Sequence, residues 1–291
     1  MSEIRTWDLS AVLDPKSSQR IPYALVLLNT PISGQHALAF YQVWQLAEIR
    51  LVADGAANML LDFMQSHGHK SFKMPTRICG DMDSITDHTR SFFEAQHVPI
   101  QRLSSQYSTD LQKCIQQLEA EEDSAHIQYD LLIFGGLTGR LDQTLHTLHV
   151  LWQLAPGAPV DDIISTGKNV AEEHKDGRLR KRPHAMVLSD TCATCMLGSG
   201  QHVLQHNRTI LGKSCGILPL GASSAHIRTE GLEWNLSMYT ELTPASQKSS
   251  LGGFFSTSNH LAPDNEAGIV SIETDAPVYW TVELKPDAEP L

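Results

Sequence analysis

The chain contains no apolar run approaching the roughly 18 residues that a membrane-spanning helix needs, and its opening residues, Met1-Ser2-Glu3-Ile4-Arg5-Thr6-Trp7, hold no hydrophobic signal core. The expectation is a soluble cytoplasmic protein that does not engage a membrane. Basic charge is scarce as well: 22 Lys and Arg stand against 33 Asp and Glu, for a net charge of −11. That balance excludes a protein that holds nucleic acid by broad neutralisation of phosphates. Cysteine is sparse and odd in number, five in all, which fits reduced thiols better than a disulfide framework. Cys192-Ala193-Thr194-Cys195 lacks the second pair of a zinc site, and His202 and His206 follow it too loosely. Both cysteines are therefore read as strand residues. A Walker A loop is missing too: Arg140-Leu141 follows Gly139 where Lys-Ser/Thr is required, and Gly212-Lys213-Ser214 has Asn207 in place of the first glycine.

What is present begins with 41% hydrophobic residues in a chain of 291, enough for two cores at about 150 residues per domain. The stretch Gly80-Asp81-Met82-Asp83-Ser84 follows the short apolar run Thr76-Arg77-Ile78-Cys79. In an extended segment, side chains at i and i+2 share a side, so Asp81 and Asp83 can reach one cation. Mg²⁺ suits them, because it takes one or two carboxylates and completes its shell with water and phosphates. An ordinary solvated turn uses the same residue types, and the rest of the chain must separate the two readings.

Residues 1–20 read as an arm. Tyr23 to Leu28 then reads as a buried parallel strand, covered by a helix from Gly34 to Leu46 with Leu38, Tyr41, Val43 and Leu46 inward. A second strand, Ile49 to Ala53, runs into Asp54-Gly55-Ala56-Ala57-Asn58 and a helix marked by Met59, Leu60, Phe63 and Met64. The third unit is the Asp81/Asp83 strand and a helical segment with Phe92 and Phe93. Thr109 and Gln112 have capping-box spacing, so a helix starts there, with Asp110 in its first turn, Lys113 three residues on, and Leu111, Ile115 and Leu118 on one face. The fourth unit is Asp130 to Phe134, the loop Gly135-Gly136-Leu137-Thr138-Gly139-Arg140, and a helix with Leu141, Leu145, Leu148 and Trp152. A strand, glycine loop and helix offer unpaired amides to an anion.

Residues 156–184 change character and read as a linker or insertion whose basic end, through Arg178-Leu179-Arg180-Lys181-Arg182, is a solvated loop. From Ala185 onward, short segments separated by Gly, Pro, Asn and Ser read as an antiparallel sheet, including one from Leu232 to Met238. The expected fold is thus α/β: a doubly wound, mainly parallel sheet over residues 21–155, then a β-sandwich domain over 185–291. In such a sheet ligands bind beyond the carboxyl ends of the strands, where Asp54, Asp81, Asp83, Asp110 and Asp142 all fall. Like charges ~4 Å apart repel by about 4 kcal/mol at an effective dielectric near 20, and a metal–nucleotide complex relieves that.

Six motifs in order carry a resemblance: Asp54 to Asn58, Gly80 to Ser84, Gln106 to Lys113, Gly135-Gly136 through Gly139-Arg140 to Asp142-Gln143, Gly231-Leu232-Glu233-Trp234-Asn235-Leu236, and Ser256-Thr257-Ser258-Asn259. Together they resemble the eukaryotic, fungal-type thiamine pyrophosphokinases. The resemblance implies an ATP-binding α/β domain, a thiamine-binding β-sandwich and a homodimer with active sites at the subunit interface. It implies transfer of the diphosphate of ATP to the hydroxyethyl oxygen of thiamine, releasing AMP. It assigns Asp81, Asp83, Asp110 and Asp142 to Mg²⁺, and Lys113 and Arg140 to the transferring phosphates. Asp54, Gln106, Gly136 and Gln143 fall on the ATP side, and Trp234, Ser256, Ser258 and Asn259 on the thiamine side. A thiazolium cation suits an indole face. Tyr107 stands where animal relatives often carry an acid, and residues 160–184 look inserted. A metal-dependent phosphohydrolase and a non-catalytic nucleotide or thiamine sensor are the alternatives.

Overall fold

The computed structural model describes residues 4–8, 21–32, 37–68, 71–105, 108–159, 179–236 and 248–285. It divides into two compact units, one formed mainly by residues 21–154 with 159–190, the other mainly by 191–286 with the N-terminal residues and 155–158. Among the described residues no helix is long and apolar enough to cross a membrane.

The strands of the first unit are β2 (Tyr23–Leu27), β3 (Ile49–Ala53), β4 (Arg77–Gly80), β5 (Ile100–Arg102), β6 (Asp130–Phe134) and β7 (Ala185–Leu188). They pair in parallel in the order β7-β6-β2-β3-β4-β5. Every residue of β2 is buried, as a strand covered on both faces requires. The order reverses between β2 and β6, which makes a topological switch point where the loops after the two strands diverge. β7 belongs to this parallel sheet, not to the antiparallel region where sequence reasoning placed Ala185 to Leu188.

Among the described residues the helices are α1 (Ala37–Leu46), α2 (Ala56–Ser66), α3 (Asp87–Ala95), α4 (Asp110–Ala125) and α5 (Leu141–Leu154). The face that α1 buries is Ala37, Phe40, Val43 and Trp44; of the expected Leu38, Tyr41, Val43 and Leu46, Val43 is buried and the other three are not. Phe40 meets Phe63 and Phe134 edge-on at centroid distances of 5.0 and 4.8 Å, and aromatic edge contacts of this kind outweigh aliphatic alternatives. In α4 the expected Leu111, Ile115 and Leu118 are buried. In α5 the expected face is turned outward: Leu141 is 71% and Leu145 54% exposed, while Thr147, Val150, Leu151 and Leu154 are buried.

The basic run is not a solvated loop over its described part. Arg182 and Glu122 are fully buried, Arg182 donating to Glu122 through Nη1 at 2.7 Å and Nη2 at 2.9 Å, and Arg180 pairs with Asp123 at 2.7 Å. Residues 160–178 lie outside the described residues.

The second unit contains β1 (Ile4–Asp8), β8 (Cys192–Leu197), β9 (Gly200–Gln205), β10 (Leu211–Leu218), β11 (Ala225–Glu230), β12 (Lys248–Ser249), β13 (Ser256–His260), β14 (Ile269–Thr274) and β15 (Val278–Leu284). One sheet runs β1-β9-β14-β11-β12, antiparallel except that β1 pairs in parallel with β9. The expected arm therefore contributes a strand. A second set pairs antiparallel as β13-β10-β15-β8. Along β11 and β14 buried and more exposed residues alternate, the period of a sheet with one covered face. The strand expected from Leu232 is instead a turn held by a single bridge between Leu232 and Leu261, with Ser237 and Met238 outside the described residues. Cys192 and Cys195 sit on β8 as strand residues, Cys195 buried and Cys192 half-buried.

Candidate active site

The carboxyl ends of the parallel strands enclose a cleft of about 620 Å³, lined by residues that include Asn29 and Thr30 after β2, Gly55 after β3, Asp81 and Ser84 after β4, Gly136, Thr138, Gly139 and Arg140 after β6, and Thr109, Asp110 and Lys113 at the start of α4. Strands end here because Asp, Ser and Gly end pairing and favour turns.

Asp54 is 2% exposed and accepts hydrogen bonds from the amides of Ser84 at 3.0 Å and Ile85 at 3.1 Å. Burial raises its carboxyl above the ordinary carboxylate range; the two amides oppose the rise, and Asp83 and Asp110 add to it. Asp83 is held below the ordinary range by hydrogen bonds from the Ser84 hydroxyl and from Asp54. Asp110 opens α4 behind the capping box of Thr109 and Gln112, where the helix dipole favours a carboxylate. The buried Lys113 lies 3.1 Å from Asp110 and 3.9 Å from Asp81.

Asp54, Asp81 and Asp110 each offer an oxygen within 4.8 Å of the other two. Three hard oxygens beside the open space of the cleft fit Mg²⁺, which completes its shell with water and phosphate oxygens. Asp83 and Asp142 do not belong to this trio. Asp83 is turned toward Ser84 at 2.7 Å, and Asp142 holds Arg140 in an exposed bidentate pair at 3.1 and 2.6 Å. The acid that completes the trio is Asp54, which sequence reasoning had put on the ATP side.

Two glycines make the close approaches possible. A Cβ on Gly80 would lie 2.6 Å from the Cβ of Asp54 and 3.2 Å from an Asp110 oxygen. Gly136 has φ +84 and its amide donates to the Thr30 hydroxyl at 3.2 Å. Gly80→Ala is expected to separate the carboxylates and to cost about 1–3 kcal/mol, the usual range for overpacking. Its urea midpoint and its Mg²⁺ affinity should fall together, and wild-type Mg²⁺ binding in this variant would show that the trio tolerates the added methyl.

Sequence reasoning missed several cleft residues. Ser108 Oγ is buried with no hydrogen-bond partner among the described residues, and since buried hydroxyls are normally paired it is available to a ligand. His146 accepts or donates at 2.8 Å to Thr109 Oγ1; its position three residues after Gln143, on the same helix face, was the signal that could have found it. Asn29 and Thr30, at a strand end on the switch point, could have been found by topology. Gln106 lies outside the described residues.

Trp234, Ser256, Ser258 and Asn259 all belong to the second unit. Trp234 is 55% exposed, whereas Ser256 and Asn259 are buried, and Ser258 is exposed with φ +56. The Asn259 side chain is spent on the backbone: Nδ2 donates to Trp234 O at 2.8 Å, and Oδ1 accepts from the amides of Trp234 at 3.3 Å and His260 at 2.8 Å.

An all-parallel α/β unit with a carboxylate trio, a buried lysine and a glycine loop at its switch point defines the class of protein whose cleft suits a metal-bound polyphosphate, here joined to a largely antiparallel β unit. Residues 40–160 match the thiamin pyrophosphokinase catalytic domain, and residues 201–279 match the thiamin pyrophosphokinase vitamin B1 binding domain. The chain belongs to the thiamine pyrophosphokinase family. It is 29% identical over 291 residues to thiamine pyrophosphokinase 2 of Oryza sativa subsp. japonica, covering 96% of this chain and 93% of that protein. The fold matches the crystal structure of yeast thiamin pyrophosphokinase with TM-score 0.72 at 22% identity, covering 97% of this chain and 92% of that one. It also matches thiamin pyrophosphokinase from Candida albicans, with TM-score 0.73 at 19% identity over 98% and 95% of the two chains.

Proposed function

We propose that this protein is a thiamine diphosphokinase that moves the diphosphate of ATP, as one group, onto the hydroxyethyl oxygen of thiamine and releases AMP. The observation that carries the reading is the carboxylate trio Asp54, Asp81 and Asp110 facing the buried Lys113 beside a glycine loop. Phosphoryl-type transfer asks mainly for positioning and charge neutralisation, and this cleft has the groups for both.

Asp54, Asp81 and Asp110 would hold Mg²⁺, which supplies neutralisation of the ATP oxygens when bound. Lys113 donates to the phosphates from the floor of the cleft, the amides of the Gly135–Gly139 loop cradle them, and Ser108 Oγ offers a further donor. Arg140 is oriented by Asp142 at the cleft mouth and serves the transferring group. Gln106 and Gln143 remain on the ATP side. In the second unit Trp234 offers its indole to the thiazolium ring, Ser256 and Ser258 face the aminopyrimidine, and Asn259 fixes the Trp234 turn. A homodimer with active sites at the subunit interface is part of this reading, as is a cytoplasmic setting, in keeping with the buried free thiols of Cys79, Cys114, Cys195 and Cys215.

Purified protein incubated with ATP, Mg²⁺ and thiamine should yield AMP and thiamine diphosphate in equal amounts. ADP with thiamine monophosphate would instead identify a kinase of another type, release of free phosphate a phosphohydrolase, and binding without turnover a sensor. Trp234→Ala is expected to raise the thiamine KM about tenfold, the weight of one cation–π contact and its burial, with the ATP KM nearly unchanged; equal changes in both would make Trp234 a structural residue.

A further inference from the structure

Trp234 is a large apolar residue left more than half exposed, yet it is held rigidly. Its backbone is fastened in both directions by the buried Asn259. The ring lies 5.0 Å from that of His260, at an interplanar angle of 42°. Fixing an exposed side chain costs conformational entropy, and a binding surface recovers that cost through preorganisation. The residue before it, Glu233, is tied to the same strand twice: its amide donates to His260 O at 2.8 Å, and its carboxylate meets His260 Nδ1 at 3.1 Å. A carboxylate only accepts, so Nδ1 is the donor, which fixes the imidazole orientation as well as the carboxylate.

The resemblance assigns Trp234, Ser256, Ser258 and Asn259 to the thiamine side, and gives no role there to Glu233 or His260. We infer that Glu233, held by His260 beside the Trp234 indole, is a specificity residue for a cationic aromatic acceptor, and that His260 is its positioning residue; the inference rests on the proposed thiamine-binding role of this unit. The Glu233 side chain is 39% exposed and that of His260 25%, so the carboxylate keeps an open side. An indole face attracts a cation through its quadrupole; a carboxylate on the preceding residue, held by the same His260 that lies against the indole, adds a full charge. An uncharged ring of the same shape would gain stacking area from Trp234 and nothing from Glu233. Together the two residues select a thiazolium over a neutral heterocycle.

Equilibrium titration of the full chain with thiamine, and with an analogue whose thiazolium is replaced by an uncharged thiophene, tests this. Glu233→Gln is expected to weaken thiamine about tenfold, the scale of one partly screened charge contact, and to leave the thiophene analogue and ATP within about twofold. His260→Leu should weaken thiamine severalfold, and His260→Asn, whose Nδ2 can replace the Nδ1 donor, should restore most of the loss. Equal weakening of thiamine and the neutral analogue in Glu233→Gln would overturn the inference, because it would mark Glu233 as a structural residue. Unchanged thiamine affinity in that variant would overturn it too. Failure of the wild-type chain to bind thiamine at all would instead remove the functional reading on which it rests.

Discussion

Asp81→Asn is expected to lower turnover to thiamine diphosphate and AMP by roughly 10² or more, the scale of losing one preorganised electrostatic group. The carboxylate is one of three oxygens within 4.8 Å, and its loss leaves two acids to hold a cation that prefers full, rigid coordination. Folding should be spared. Asp81 is partly exposed, and Lys113 keeps its closer partner Asp110 at 3.1 Å, so stability should change by no more than about 1 kcal/mol. Asp142→Asn is the informative contrast. It breaks an exposed pair with Arg140, whose side chains are 61% and 77% exposed respectively, and should cost less than about tenfold, since such pairs are screened. Steady-state rates at saturating ATP and thiamine, alongside thermal melts, distinguish the two. A larger loss from Asp142→Asn than from Asp81→Asn would move the metal site out to the mouth of the cleft.

Arg182→Met is expected to be the most destabilising of these changes, by about 3–5 kcal/mol, because it strands Glu122 in the interior without its counter-charge. Glu122 accepts from both Arg182 nitrogens and from the Tyr129 amide at 2.9 Å, and Arg182 also donates to Tyr129 O at 3.0 Å. The pair ties the approach to β7 onto α4, the helix whose first turn carries Asp110 and Lys113. Removing both charges together, as Arg182→Met with Glu122→Leu, should recover much of the loss, since apolar replacements of similar volume often match a buried ion pair. Urea midpoints of the single and double variants measure this, and a single variant as stable as wild type would show that water reaches Glu122.

The positions of the acids along the chain were legible because each follows a short apolar run and precedes a helical pattern, and a parallel sheet sends all such junctions to one rim. That logic needs only the order of elements. It could not rank the acids. Whether Asp54 or Asp83 joins Asp81 and Asp110 depends on backbone torsions, φ +30 at Asp54 and +65 at Met82, which no spacing rule supplies. The capping box of Thr109 and Gln112 was readable because its partners are three residues apart. Arg182 and Glu122 are 60 residues apart, so local composition showed only a run of charge.

By itself, then, the sequence determined the α/β unit with its strand-end acids, the antiparallel character of most of the later strands and the family, all of which rest on local periodicity and ordered motifs. Only the tertiary structure decided which carboxylates converge, that the outer face of α5 carries Leu141 and Leu145, that the Leu232 segment is a turn and not a strand, and that Asn259 holds Trp234 in place. Those outcomes depend on contacts between residues distant in the chain, where packing volume and hydrogen-bond geometry choose among side chains that the sequence pattern leaves equivalent.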